Sequence, residues 1–136
     1  MKPFISLAQD FLLGISLMDD QHQKMANRIN ALADAVSQDL PGEQRIVLLK
    51  DLINESFQHF RDEESLMEKS GCQEFLELHQ TLHKALLKKL EELSLRVDQG
   101  ALLINQDFMN YLKDWFLKHI IGADKEYAKK ISHKSM

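Results

Sequence analysis

Residues 59–83 read HFRDEESLMEKSGCQEFLELHQTLH, and the arrangement of this stretch decides the fold. His59-x3-Glu63 lies before the Ser70-Gly71 pair, and His79-x3-His83 lies after it. On an α-helix four residues turn through about 400°, so each pair projects from one face, one turn apart. Ser70-Gly71 is a turn signal, which folds the two helices back on each other. At about 1.5 Å per residue, His59 and His79 both fall roughly 12–16 Å from that turn. The four side chains therefore meet at one level.

Working outward, the same logic gives two more helices. Upstream, His22, Met25, Ile29, Leu32 and Val36 recur at alternating steps of three and four, one buried stripe. Ser16-x-x-Asp19 resembles a capping box that starts this helix near Asp19, and Leu40-Pro41-Gly42 ends it. The helix through His59 carries Leu49, Leu52, Ser56, His59, Glu63 and Leu66 inward, with Phe60 and Met67 alongside. The next carries Leu76, His79, His83, Leu86, Leu90 and Leu93 until Asp98-Gln99-Gly100 breaks it. The last carries Phe108, Leu112, Trp115, His119 and Ile120. The expectation is an all-α chain, one domain over 1–136: an arm at 1–18, then helices at about 19–38, 43–69, 73–95 and 103–129. Short connections make this an antiparallel up-down-up-down four-helix bundle. His22 is expected near the height of Leu52–Ser56, within about a turn of the other histidines.

Composition agrees with that class. Apolar residues make up 44% and charged residues 28%, with only five Gly and two Pro, as a helical globular domain requires. A net charge of −4 argues against nucleic acid as a partner. The single cysteine, Cys72, gives no disulfide framework and suits a cytoplasmic location. The apolar run Phe11 to Met18 is far short of the ~20 residues that span a bilayer, so no membrane association is expected.

The polar residues on the inner stripes carry the chemistry. His22, His59, Glu63, His79, His83, His119 and Asp124 come from four segments and converge on one place. One HxxxH or HxxxE is weak evidence, because most such pairs are solvated or hydrogen-bonded to a neighbour. Seven inward groups are different. Each ionised carboxylate in an apolar core costs several kcal/mol unless paired or bound to a cation. Seven ligands exceed one four-coordinate zinc. They suit two six-coordinate ions, as three histidines plus two histidines plus two bridging carboxylates, and iron fits that nitrogen and oxygen shell. The Glu-x-x-His motif of ferritin-like di-iron bundles is absent from the chain. A histidine-rich centre points to reversible binding rather than to a carboxylate-rich oxidase. His119 and Asp124 are five residues apart, and on a regular helix they diverge by about 140°. An i→i+5 irregularity between them, eased by Gly122, is therefore expected.

With GISLMDDQH (14–22), HFRDEESLM (59–67), HQTLH (79–83) and WFLKHIIGAD (115–124), the chain resembles the hemerythrin family in its bacterial single-domain form, over nearly its whole length. The resemblance implies that His79, His83 and His119 hold one iron and that His22 and His59 hold the other, which keeps an open position. It implies that Glu63 and Asp124 bridge the two with an oxo or hydroxo group, and that O2 is the ligand, bound reversibly for storage, delivery or scavenging. Met25, Phe60, Trp115, Phe116 and Ile120 match the family's O2 pocket; the plainer account of each is core packing. Many bacterial relatives carry a tryptophan in the arm, whereas here Trp115 is the only one. The chain is not expected to be an enzyme. The rival readings are a sensor of O2, NO or redox state acting through a partner protein, and a di-iron peroxide-handling enzyme. Cys72, His133 and the lysines of the outer helix faces have plain structural readings.

Overall fold

The computed structural model describes residues 4–7, 12–71 and 73–134, and for His119 and residues 130–134 the backbone alone. Cys72 and the His133 side chain therefore lie outside the described residues. The helices are α1 (Ser16–Ser37), α2 (Gly42–Lys69), α3 (Gln73–Asp98), α4 (Gln106–Asp114), a π-helical segment (Trp115–Ile121) and α5 (Gly122–Lys134). The last three run on as one rod. The chain is an all-α four-helix bundle, in which α1 packs against α2 and α4, and α2 against α3. Among the described residues there is no strand, and no helix is long and apolar enough to cross a membrane.

Two helix starts differ from the sequence reading. α1 begins at Ser16, three residues early, and no side chain caps it. Asp19 instead reaches back, accepting hydrogen bonds from the backbone N–H groups of Leu13 (2.8 Å) and Gly14 (3.2 Å). A short acidic side chain readily accepts from nearby backbone N–H groups that lie outside any helix, as those of Leu13 and Gly14 do. The fourth rod starts at Gln106 rather than near 103, with the Asn105 side chain accepting from Phe108 N–H at 3.1 Å. The preceding Ile104 stays extended because its side chain is buried and its carbonyl is held by Arg45 (Nη1 to O, 2.7 Å).

The stripes pack as their periods require. Every residue of the α3 stripe is buried, and on α2 the one exchange is Met67 for Leu66 as the fully buried residue. The arm lies against α1 through Ile5, which is 3% exposed and whose backbone N and O both bond to the Asn30 side chain. Two apolar clusters result. The larger includes Met25, Ile29, Leu52, Phe60, Leu90 and Phe116; the smaller is Met67, Leu76 and Tyr127, flanked by Leu66 and Phe75. Along α2, α3 and α5 the buried histidines and carboxylates fall between the two. A polar layer thus crosses the bundle.

A wide turn is there but displaced: the spacing puts it between His119 and Asp124, whereas the π-helical segment covers Trp115–Ile121 and reaches only the first part of that interval. The π-helical stretch begins four residues before His119 and closes immediately before Gly122. Gly122 itself is helical (φ −59°, ψ −47°), and a Cβ at this position would meet only the Leu117 carbonyl oxygen at 3.9 Å, an ordinary contact. The glycine is thus not needed for space, contrary to the sequence reading. Gly122→Ala should raise stability by about 0.5–1 kcal/mol, because alanine loses less backbone entropy on folding. Urea unfolding of the metal-free proteins checks this.

Candidate metal centre

Six of the seven expected ligands converge. His22 Nε2 lies 2.7 Å from Asp124 Oδ2, and His59 Nε2 lies 3.0 Å from the same oxygen. His83 Nε2 is 3.1 Å from Glu63 Oε1, and His79 Nε2 is 3.7 Å from both Glu63 Oε1 and Asp124 Oδ1. One ligand atom from each of His22, His59, Glu63 and Asp124 falls in a group whose members are all within 4.8 Å of one another. All six residues are buried, none more than 5% exposed. The seventh, His119, lies outside the described side chains.

Register explains the convergence. His22 stands 15 residues before α1 ends and His59 17 residues after α2 begins. Antiparallel helices joined by a short turn bring such positions to nearly one height. His22 is accordingly not at the level of Leu52–Ser56 but beside His59, ring centroids 4.7 Å apart. The π-helical segment does the same for the last ligand. It re-phases the rod so that Asp124, 2% exposed, faces the histidines.

The hydrogen bonding shows what the site lacks. The outer nitrogens are committed: His59 Nδ1–H donates to Gln21 Oε1 (2.8 Å), His79 Nδ1–H to the Phe75 carbonyl (3.1 Å), and His83 Nδ1–H to Glu64 Oε2 (2.9 Å). Their inner nitrogens face carboxylate oxygens as well. Each of these three rings is thus flanked by oxygen on both sides. Burial, the largest influence, holds His59 and His83 below the usual histidine range. As neutral rings they have one N–H for two acceptors. Burial alone would also raise Asp124, but hydrogen bonds from its neighbours, His22 and His59 first, outweigh it and hold the carboxyl well below the ordinary range. Glu63 goes the other way: burial first, and then the Asp124 charge, push it well above the usual carboxylate range. Glu63 Oε2, His79 Nε2 and His22 Nδ1 are buried without a hydrogen-bond partner. Inward lone pairs aimed at inward carboxylates want cations between them, and this donor set fits iron.

The raised Glu63 has a testable consequence in the metal-free protein. A carboxyl whose folded value exceeds its unfolded one gives stability that is fully present below the unfolded value. That stability is lost as pH rises through the folded value. Glu63→Gln removes this loss. In urea titrations the metal-free variant should match the parent in acid and become more stable than it as pH rises above the ordinary carboxylate range. Parallel curves would mean that Glu63 is not raised.

The five residues expected to line a pocket are all buried, as plain core packing would also make them. Met25, Phe60, Trp115, Phe116 and Ile120 are each 2% exposed or less. Phe60 stacks on His83 (centroids 4.1 Å, planes 10° apart), and Phe116 meets His22 edge-on at 6.2 Å. Gln21, Glu64 and Phe75, which hold the outer nitrogens, escaped the sequence reading. They are partners only across the fold, 19 and 38 positions away for Glu64 and Gln21, and no local spacing marks them. Phe75, one turn before His79, accepts through its carbonyl and also sets its ring 6.5 Å from the His79 ring.

A four-helix bundle with a buried layer of histidines and two carboxylates defines a class: helical proteins that hold metal at mid-bundle. Comparison with known proteins narrows it. The family model described as the hemerythrin HHE cation binding domain matches residues 13–131, and the chain belongs to the hemerythrin family. It is 30% identical to a bacteriohemerythrin of Methylococcus capsulatus over 124 residues, 89% of this chain and 91% of that one. It is 32% identical to myohemerythrin-1 of Phascolopsis gouldii over 115 residues, 84% and 83% of the two chains. A crystal structure of a hemerythrin point mutant superposes with a TM-score of 0.86 at 25% identity, covering 96% of this chain and 99% of that one.

Proposed function

We propose that this chain is a non-haem di-iron protein that binds O2 reversibly and serves in its storage, delivery or scavenging. His79, His83 and His119 hold one iron, His22 and His59 hold the other, and Glu63 and Asp124 bridge them. The observation that carries this reading is the set of buried imidazoles whose inner nitrogens face carboxylate oxygens while their outer nitrogens are occupied. The family supports iron as the metal and O2 as the ligand. When bound, the iron pair supplies the electrons that make O2 binding both tight and reversible.

The chain's own part is threefold. The outer hydrogen bonds orient the rings before metal arrives, so little freedom is lost on binding. On metal binding Glu63 loses its proton to solvent and becomes a second anionic ligand. Phe60 and Phe116, packed against His83 and His22, exclude water from the centre, which keeps the electron transfer to O2 from running on to escape of reduced oxygen.

Reduced, iron-loaded protein should be nearly colourless, gain an intense visible band in air, and lose it under argon over repeated cycles. Metal analysis should give two irons per chain. An irreversible change to a ferric spectrum within mixing time would favour the peroxide-handling or sensor readings. One zinc, or no metal after anaerobic reconstitution, would end the di-iron reading.

A further inference from the structure

The outer partners of the histidines are unequal. The His83 ring is backed by a carboxylate, Glu64 Oε2 at 2.9 Å. His59 is backed by a neutral amide, that of Gln21, whose own nitrogen donates to Asp62. His79 is backed by the Phe75 carbonyl, and His22 Nδ1 has no partner. Of the four described rings, only His83 therefore has an anion directly behind it.

A carboxylate on the outer N–H draws the proton toward itself and makes the inner nitrogen a stronger donor. A stronger donor favours the higher oxidation state of a metal. The Glu64 charge is also poorly screened on its inner side, since His83 is 3% exposed and Phe60 covers one face of its ring in a parallel stack. Glu64 itself is 27% exposed, at the solvent edge of the His83 ring. Among the described residues no carboxylate bonds directly to the outer nitrogen of His22 or His59; Asp62 reaches His59 only through the neutral Gln21 amide.

We infer that Glu64 is a positioning residue that sets an electronic difference between the two halves of the centre: it fixes the His83 ring and lowers the reduction potential on its side. This leaves the His22 and His59 side the less electron-rich half. The inference rests on the di-iron reading above.

The test uses the full-length protein with Glu64→Gln and Glu64→Ala, after iron content has been measured for all three. The amide of Glu64→Gln can still accept from His83 Nδ1–H but carries no charge. Ferrous affinity, read by chelator competition, should fall about 10- to 100-fold in Glu64→Ala and much less in Glu64→Gln. The midpoint potential, read by spectroelectrochemistry, should move positive in both variants. A purely structural role would weaken binding in Glu64→Ala but leave the potential of Glu64→Gln at the parent value, and that result overturns the inference. Parent protein that holds two irons while both variants match it in affinity and potential overturns it as well, with the di-iron reading intact. Parent protein that takes up no iron removes the di-iron reading itself, and the inference with it.

Discussion

Asp124→Ala should leave the bundle folded and strip it of iron. Asp124 Oδ2 is shared by His22 and His59, and Oδ1 faces His79, so a single side chain serves ligands from three helices. Removing one partner of a buried charge pair costs about 3–5 kcal/mol, and in an affinity this is roughly a 10²- to 10⁴-fold loss. On the proposed di-iron reading, in which Asp124 bridges, the loss should extend to both irons. Metal analysis after gel filtration, with circular dichroism as the check on folding, reads it directly. Asp124→Asn keeps the shape and one acceptor but not the charge, and should fall between the two. If Asp124→Ala retained two irons, Asp124 would not be a ligand.

Phe116→Ala should leave the iron in place and spoil reversibility. The side chain is fully buried and meets the His22 ring edge-on. Truncating a buried phenylalanine costs about 3–5 kcal/mol of stability and leaves a cavity. This cavity abuts the polar layer, so water can enter it. The half-life of the air-induced band should shorten about tenfold or more, the scale on which exclusion of water and placement of the reacting groups act. Phe116→Leu, which fills most of the volume, should recover most of it. Decay at the parent rate in Phe116→Ala would make this residue plain core.

Much of this was legible before any coordinates. The stripe on α3 is buried throughout because a strict three-four alternation leaves a helix only one face to bury. The histidines of α2 and α3 met as the turn at Ser70-Gly71 required, and the five-residue gap between His119 and Asp124 foretold a π turn, though one that begins before that gap. Local capping was harder. Asp19 bonds backward to Leu13 and Gly14 instead of closing a box with Ser16, a choice between two local geometries of similar energy. The height of His22 came out wrong by about a turn, because it depends on where two helices end rather than on any pattern within them. The partners of the outer nitrogens were invisible. Glu64 and Gln21 look like the solvated side chains found beside any buried stripe, and only the packing of one helix on another turns them inward.

The polar layer between the two apolar clusters has a consequence for how the molecule comes apart. The smaller cluster, Met67, Leu76 and Tyr127 with its flanking residues, is separated from the main core by a layer of buried polar groups. Without metal, the far ends of α2, α3 and α5 can open as a unit at a lower free energy than the whole bundle, a sub-global unfolding step with its own equilibrium. Cations held across the layer join the two clusters through ligands on both sides. Release of iron and fraying of that end then become a single event. On the proposed reading, the lifetime of the metal in the protein should follow the rate at which that end of the bundle opens.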